Sequence, residues 1–281
     1  MVATTTRKHF QRLKSYFEFS KPIYDYLLWG AKHLGFYPKD KKVSEKEAQL
    51  LMHDLIAQKL KLSASMKVLD AGCGEGIVST YLAKKYGCSI DGITVVPFEV
   101  KRATKRAEKL GIRDKVKFSL MDYSNMSFED NYFDAIYTIE SLVHSINLRN
   151  TLHEFYRVLR TKGKISLFEY SPVDDSRFSD HERDLLAKVM HSAAMPNLMG
   201  FQIDNLEKTL TDVGFRNIQI RDITENIAPS VLRLRRYFMV PYFFVNMFGL
   251  HSKCPNLTGI VEFSRMGEKG LMTYKTVSAE K

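Results

Sequence analysis

Val68-Leu69-Asp70-Ala71-Gly72-Cys73-Gly74-Glu75-Gly76 is the stretch that decides the fold: a short apolar run ending in an acid, then glycine at three alternate positions. Glycine is needed where the backbone must turn sharply or lie against a ligand, because any Cβ would collide. Met66 to Asp70 predicts a strand, and Ile77 to Tyr86 a helix with Ile77, Tyr81 and Leu82 on one face. Ser89 to Thr94 predicts a second strand. Pro97 opens a helix that stops at Gly111, the proline-first, glycine-last asymmetry of helix ends. Val116 to Asp122 and Phe133 to Glu140 supply strands three and four. Leu148, Leu152, Phe155 and Leu159 recur at helical steps before a fifth strand, Lys164 to Tyr170. Such alternation predicts an α/β fold, a doubly wound and mostly parallel sheet covered on both faces. A helix to about Val213, a strand Ile218 to Ile223 and a last strand near Leu271 to Val277 bring the sheet to seven strands.

Outside this rhythm, residues 1–65 read as an N-terminal helical cap on a core of 66–281. Ser44 and Glu47 form a capping box ahead of Ala48, Leu51 and Leu55. Two inserts, at about 171–200 and 227–265, are rich in aromatic and methionine residues, as expected of segments that shape a substrate pocket.

The 281 residues are ample to bury a core. Forty-two Lys+Arg against 32 Asp+Glu give a formal charge of +10, which favours anionic partners: nucleic acid, an anionic lipid surface or an acidic substrate. The cations are spread along the whole chain, so a solvated basic surface is the plainer reading. Cys73, Cys88 and Cys254 contain no Cys-x-x-Cys pair, which argues against a disulfide framework and a zinc site and for a reducing, intracellular setting. Met1 to Lys14 is basic and lacks the apolar core of a secretory signal. Tyr237 to Leu250, the longest apolar stretch, holds Pro241 and Asn246 and is too short to span a bilayer. A cytoplasmic protein, at most peripheral to a membrane, is expected.

In a doubly wound sheet the ligand crevice lies at the carboxyl ends of the strands. Asp70, Thr94, Asp122, Glu140 and Glu169 fall at or beside the ends of strands one to five. A nicotinamide dinucleotide calls for Gly-x-Gly-x-x-Gly and an acid closing strand two; here the spacing is Gly-x-Gly-x-Gly and the strand closes on Thr94.

Leu69 to Gly76 resembles the first motif of class I S-adenosylmethionine-dependent methyltransferases, Gly92-Ile93-Thr94 with Pro97 resembles their second, and Asp122-Tyr123 their acidic third. Ile139-Glu140-Ser141-Leu142-Val143-His144 is similar to the Glu-x-x-x-His element of the sterol, tocopherol and cyclopropane-fatty-acid methyltransferases. Tyr24-Asp25, Trp29-Gly30 and His33-x-Gly35-Phe36-Tyr37 resemble N-terminal elements of that subgroup. The likeness spans about residues 20–170. It implies S-adenosylmethionine as cofactor. Gly72, Gly74 and Gly76, with Cys73 between them, would lie against its amino-acid and ribose portions, and Asp70 would hold the turn or meet the methionine amino group through water. Thr94 and Val95 would border ribose and adenine, Asp122 would accept from the adenine amino group beside Tyr123, and Tyr24 would close over the methionine carboxylate. Many class I enzymes carry an acid where Thr94 stands.

Glu140 and His144 are the candidate bases, since a spacing of four can aim both inward; each could instead be structural, His144 as a satisfied core histidine. If the acceptor is an alkene, aromatic faces could stabilise a carbocation, although an aromatic stripe also serves as plain core. Arg233, Arg235 and Arg236 ahead of Tyr237-Phe238-Met239-Val240-Pro241 fit a membrane contact through 231–250, a diphosphate grip, or a solvated rim. The expected function is methyl transfer, to carbon before nitrogen or oxygen, on a small apolar or amphipathic acceptor of sterol, isoprenoid, quinone or acyl-chain type. RNA methylation is the alternative that charge alone suggests, but no RNA-binding module is recognisable and no nucleic-acid partner is expected. A non-catalytic cofactor-binding scaffold at a membrane is the other.

Overall fold

The computed structural model describes the backbone of residues 2–28, 30–250 and 255–281, and the side chains of these apart from residues 2–6, 23, 24, 255 and 256. Helices α1 (Val2–Leu27) and α2 (Glu45–Leu60) precede the first strand. Then follow β1 (Lys67–Ala71), α3 (Ile77–Tyr86), β2 (Ser89–Thr94), α4 (Pro97–Leu110), β3 (Val116–Leu120), β4 (Phe133–Ile139), α5 (Leu148–Val158) and β5 (Leu159–Pro172). The remainder is α6 (Asp180–Ser192), α7 (Ile203–Val213), β6 (Arg216–Asp222), α8 (Thr224–Met247), α9 (Pro255–Glu268) and β7 (Met272–Glu280).

The strands form one seven-stranded sheet in the order β3-β2-β1-β4-β5-β7-β6. Strands β1 to β5 pair in parallel, while β7 runs antiparallel between β5 and β6. Because successive strand residues face opposite sides, Val68 and Leu69 are both fully buried but belong to two different cores. Val68, Ile90 and Tyr137 pack with Met52 and Ile56 of α2 and Leu82 of α3 on one face. Leu69, Ile93 and Ile165 pack with Leu152 and Phe155 of α5 and Leu210 of α7 on the other.

Local signals act as the sequence predicts at most ends. Ser44 and Glu47 close a reciprocal capping box on α2, Pro97 stands in the first turn of α4, and Gly111 ends it in the left-handed region. Strand β5 begins earlier than expected, at Leu159: the pairing Phe133↔Leu159 precedes a register shift, so the chain enters the sheet directly from α5. The late insert is largely two helices, with α8 running through Pro229 and Pro241. Among the described residues no helix is long and apolar enough to cross a membrane.

Candidate active site

The turn between β1 and α3 is fixed from three sides. The N–H groups of Gly72 and Cys73 both donate to Ile93 O, at 3.0 and 2.9 Å, tying the turn to the end of β2. Asp70 is buried behind it, accepting from Ser79 Oγ and, at 2.6 Å, from the Tyr137 hydroxyl; burial lifts its pKa to about 6. Its carboxyl therefore holds the turn against α3 and β4. Gly72 has φ 96°, and a Cβ there would stand 1.8 Å from Ser141 Oγ, so packing alone demands glycine. Gly74 differs. At φ 50°, a Cβ would find, beyond its chain neighbours, nothing among the described residues nearer than Lys32 Cδ at 3.9 Å.

That open backbone faces a cavity. Gly72, Cys73 and Gly74 line it together with Thr94, Val95, Asp122, Tyr123, Glu140 and His144, so the parallel sheet brings together residues up to 72 positions apart in sequence. Asp70 reaches its floor. Gly76 departs from expectation: it does not line the cavity but turns toward Phe118 and Ala103, where a Cβ would lie 2.6 and 2.9 Å away, so its glycine serves packing. The side chain of Tyr24 lies outside the described residues.

Thr94 does not stand alone where an acid was missing. Its hydroxyl donates to Glu99 Oε2 at 2.6 Å, and Glu99, on the first turn of α4, is 2% exposed, paired with Lys32 and part of the cavity wall. The helix thus returns to the end of β2 the carboxylate that the strand itself lacks. An acid in the first turn of a proline-started helix was visible in the sequence; its direction was not. Asp122 accepts from the Ser124 N–H and hydroxyl, both at 2.8 Å, and Tyr123 donates to Ser141 O at 3.0 Å while burial pushes its phenol pKa up.

The strand order and the open glycine turn at the cavity agree with what comparison finds. A methyltransferase-domain family profile matches residues 68–163. The chain carries a methyltransferase domain of the class I S-adenosylmethionine-dependent type. This methyltransferase is 28% identical over 264 residues, 89% of its own length and 88% of the other's, to the S-adenosyl-L-methionine-dependent Diels-Alderase iccD of Talaromyces variabilis. It is 31% identical over 205 residues to the sterol 24-C-methyltransferase of Yarrowia lipolytica, covering 72% of its own chain but only 52% of that enzyme. Its fold is like that of the cyclopropane synthase MmaA2 from Mycobacterium tuberculosis, with a TM-score of 0.83, 14% identity and coverage of 97% and 98% of the two chains. The methyltransferase spans about half the length of the sterol enzyme it matches.

Beyond the glycine turn, the methyltransferase carries a carboxyl in an unusual setting. Glu140 closes β4 with φ 49°, a strained backbone for a residue with a side chain. Its Oε1 accepts from Leu34 N–H at 2.9 Å and from the Tyr274 hydroxyl at 3.0 Å; its Oε2 accepts from the Tyr170 hydroxyl at 2.7 Å. Burial outweighs these three donors and raises its pKa to about 7. The two tyrosines were missed in the sequence because they meet only through the antiparallel register Tyr170↔Tyr274. Glu169, behind, accepts from the Ser141 and Leu142 N–H groups at 2.9 and 2.7 Å and fixes the chain leaving Glu140; its own pKa is lifted by burial to about 8.

His144 stands in the same cavity on the short 3-10 turn Leu142–His144. Its Nδ1–H donates to Ala194 O at 2.8 Å, so Nε2 keeps the lone pair, and burial lowers the pKa to about 4. Rings of Phe17 and Tyr16 flank it at 5.5 and 6.1 Å. It is neutral at physiological pH, positioned by backbone and walled by aromatic rings.

A second buried pair supports Glu140 from the side of α2. His33 Nδ1–H donates to Leu34 O at 3.0 Å, which leaves its Nε2 to accept from His53 Nε2–H at 2.9 Å. His53 Nδ1 is then a buried lone pair with no partner among the described residues. Both imidazoles are held neutral by burial, their pKa values below the ordinary range. A folded-state pKa below the unfolded value means stability is present above about pH 6.5 and lost as pH falls below it, at up to about 1.4 kcal/mol per pH unit for each histidine. His53→Gln keeps a donor for His33 and removes one titrating group. Its melting temperature should fall less between about pH 7 and pH 5 than that of the wild type in scanning calorimetry; an identical fall would remove the pair from the account.

Proposed function

We propose that this methyltransferase transfers the S-adenosylmethionine methyl group to an sp² carbon of a small, largely apolar acceptor, with Glu140 as the base. The observation that carries this is the Glu140 carboxylate, held by three donors on a strained backbone, in a cavity whose wall also includes the apolar and aromatic side chains Tyr16, Phe17, Val231, Leu234, Ile260 and Phe263. Cofactor contacts are assigned to Gly72, Cys73, Gly74, Thr94, Val95, Asp122 and Tyr123, with Glu99 added toward the ribose and Asp70 holding the turn. Gly74 offers bare backbone and Glu99 a buried acid, which suits a nucleoside. When bound, the cofactor supplies a methyl group on a sulfonium, open to in-line displacement. Helix α1, which contributes Phe10, Leu13, Tyr16 and Phe17 to the wall, would exclude water and hold the acceptor in line.

Were the acceptor's π electrons to take the methyl group, with the bonding pair of the broken carbon–sulfur bond staying on sulfur, the cation left on the acceptor would face aromatic rings and surrender a proton to the Glu140 carboxylate. A carboxyl with pKa near 7 is ionised often enough to take it and basic enough to keep it. The Glu140 carboxylate is the assigned base; neutral His144 shapes the wall. The likeness to a sterol C-methyltransferase favours the same acceptor class.

Incubation with methyl-labelled S-adenosylmethionine and an organic extract of cellular lipids tests this. Label should appear in an apolar product; label confined to protein or RNA, or no transfer despite cofactor binding, would reject it. A cofactor-dependent cyclisation is the second reading, favoured by the likeness to a Diels-Alderase along nearly the full length of both chains. It would give an isomerised product with no label and no S-adenosylhomocysteine released.

A further inference from the structure

Helix α8 has two unlike sides. Val231 and Leu234 of its inner side line the acceptor cavity, and Phe238, Tyr242 and Val245 are buried beneath it. Outside, Tyr237, Val240, Phe243, Phe244, Met247 and Phe248 are between 51% and 68% exposed. Steps of three and four residues set most of these into one stripe. A continuous water-facing stripe of large aromatic and aliphatic groups is a surface made to be covered.

Charge indicates by what. From Asn226 to Val261 the chain holds no Asp or Glu, while Arg233, Arg235, Arg236 and Lys253 lie within the same span. Arg233 is turned inward, donating to Glu45 at 2.9 Å and Leu27 O at 2.8 Å, and Arg235 pairs with Glu268, which removes both from the diphosphate-gripping role that the sequence left open. Arg236 stays at the surface beside Tyr237. An apolar stripe that carries no acid of its own and has Arg236 exposed beside it, on a chain of net charge +10, matches an anionic lipid surface. Two copies facing each other through it would set cation against cation.

We propose that the outer face of α8 docks this protein on anionic membranes, laying Phe243, Phe244 and Phe248 among the headgroups. The same helix would then separate the lipid phase from the acceptor cavity by a single layer, an arrangement suited to an acceptor drawn from a membrane. This purpose rests on the apolar-acceptor reading; the docking does not, and its test uses no turnover.

Flotation of the full chain with vesicles of phosphatidylcholine containing about one-third phosphatidylserine should carry the protein upward, and pure phosphatidylcholine should carry clearly less. Phe243→Glu combined with Phe248→Glu should cut the floated fraction by about tenfold or more, with the melting temperature and S-adenosylhomocysteine affinity unchanged because both side chains are solvent-exposed. Arg236→Glu should weaken binding on the anionic vesicles only. Wild type that stays at the bottom, or a double variant that floats as well as wild type, overturns the proposal. So does light scattering that finds a wild-type dimer which the double variant dissociates, since a second copy would then own the face.

Discussion

Glu140→Gln is expected to lower kcat for methyl transfer by roughly 10²–10⁴-fold, the usual contribution of a positioned base, with S-adenosylmethionine affinity essentially unchanged. Glutamine matches the size of the carboxyl and keeps two polar atoms. Its amide oxygen can accept from Leu34 N–H, and the Tyr170 hydroxyl can rotate to accept from the amide. What is lost is basicity alone. In the wild type kcat should rise with pH through about 7, as the carboxyl ionises, and level off above. A variant that keeps full kcat, or a wild-type profile flat between about pH 6 and 8, would take the proton-accepting role away from Glu140.

The same substitution should raise stability, which separates lost chemistry from misfolding. Burial lifts the folded pKa of Glu140 to about 7, above its unfolded value. Its contribution is therefore fully present below the unfolded pKa and is lost as pH rises through about 7, because the folded state must then hold a desolvated anion. At about pH 8 Glu140→Gln should gain on the order of 2 kcal/mol over wild type, a figure reduced for the side chain's contact with the open cavity. Glu169 acts in the same direction, its pKa lifted to about 8. A melting temperature at pH 8 that drops on Glu140→Gln would mean that the ionised group holds the fold together rather than straining it.

What the sequence made legible follows how local each signal is. The turn Gly72–Gly76, the capping box on α2 and the bounds of α3, β2 and α4 depend on contacts within a few residues, and all stand where the sequence predicts. Parallel strands put their carboxyl ends on one rim whatever their order, so Asp70, Thr94, Asp122 and Glu140 could be placed together from sequence alone, whereas Glu169, read onto the same rim, stands behind the cavity. Direction could not be read. Gly76 faces Phe118 rather than the cavity, and Glu99 bends back to Thr94 and Lys32, because side-chain aim depends on packing that no periodicity encodes. Nor could contacts between distant elements. Tyr274 meets Glu140 across 134 residues, through a strand whose antiparallel course between β5 and β6 has no local signature.

Gly74 gives the sharpest handle on the cofactor itself. Gly72, with its neighbour Ser141, and Gly76, with Phe118, are glycines for the protein's own sake, so replacing them would damage the fold and say little about a ligand. Gly74 has φ 50° and open space where a side chain would go. Asparagine is among the residues that best tolerate the left-handed region, so Gly74→Asn should fold with a loss of about 1 kcal/mol or less while projecting an amide into the space assigned to the nucleoside. Affinity should fall by more than roughly 100-fold, about 2.7 kcal/mol, since the added atoms and the cofactor cannot share one volume. Calorimetric titration of S-adenosylmethionine into wild type and Gly74→Asn is the direct measurement. One tight site on the wild type and no measurable heat on a variant that melts normally are the expected result; equal binding by both, or none by either, would contradict a cofactor resting on Gly74.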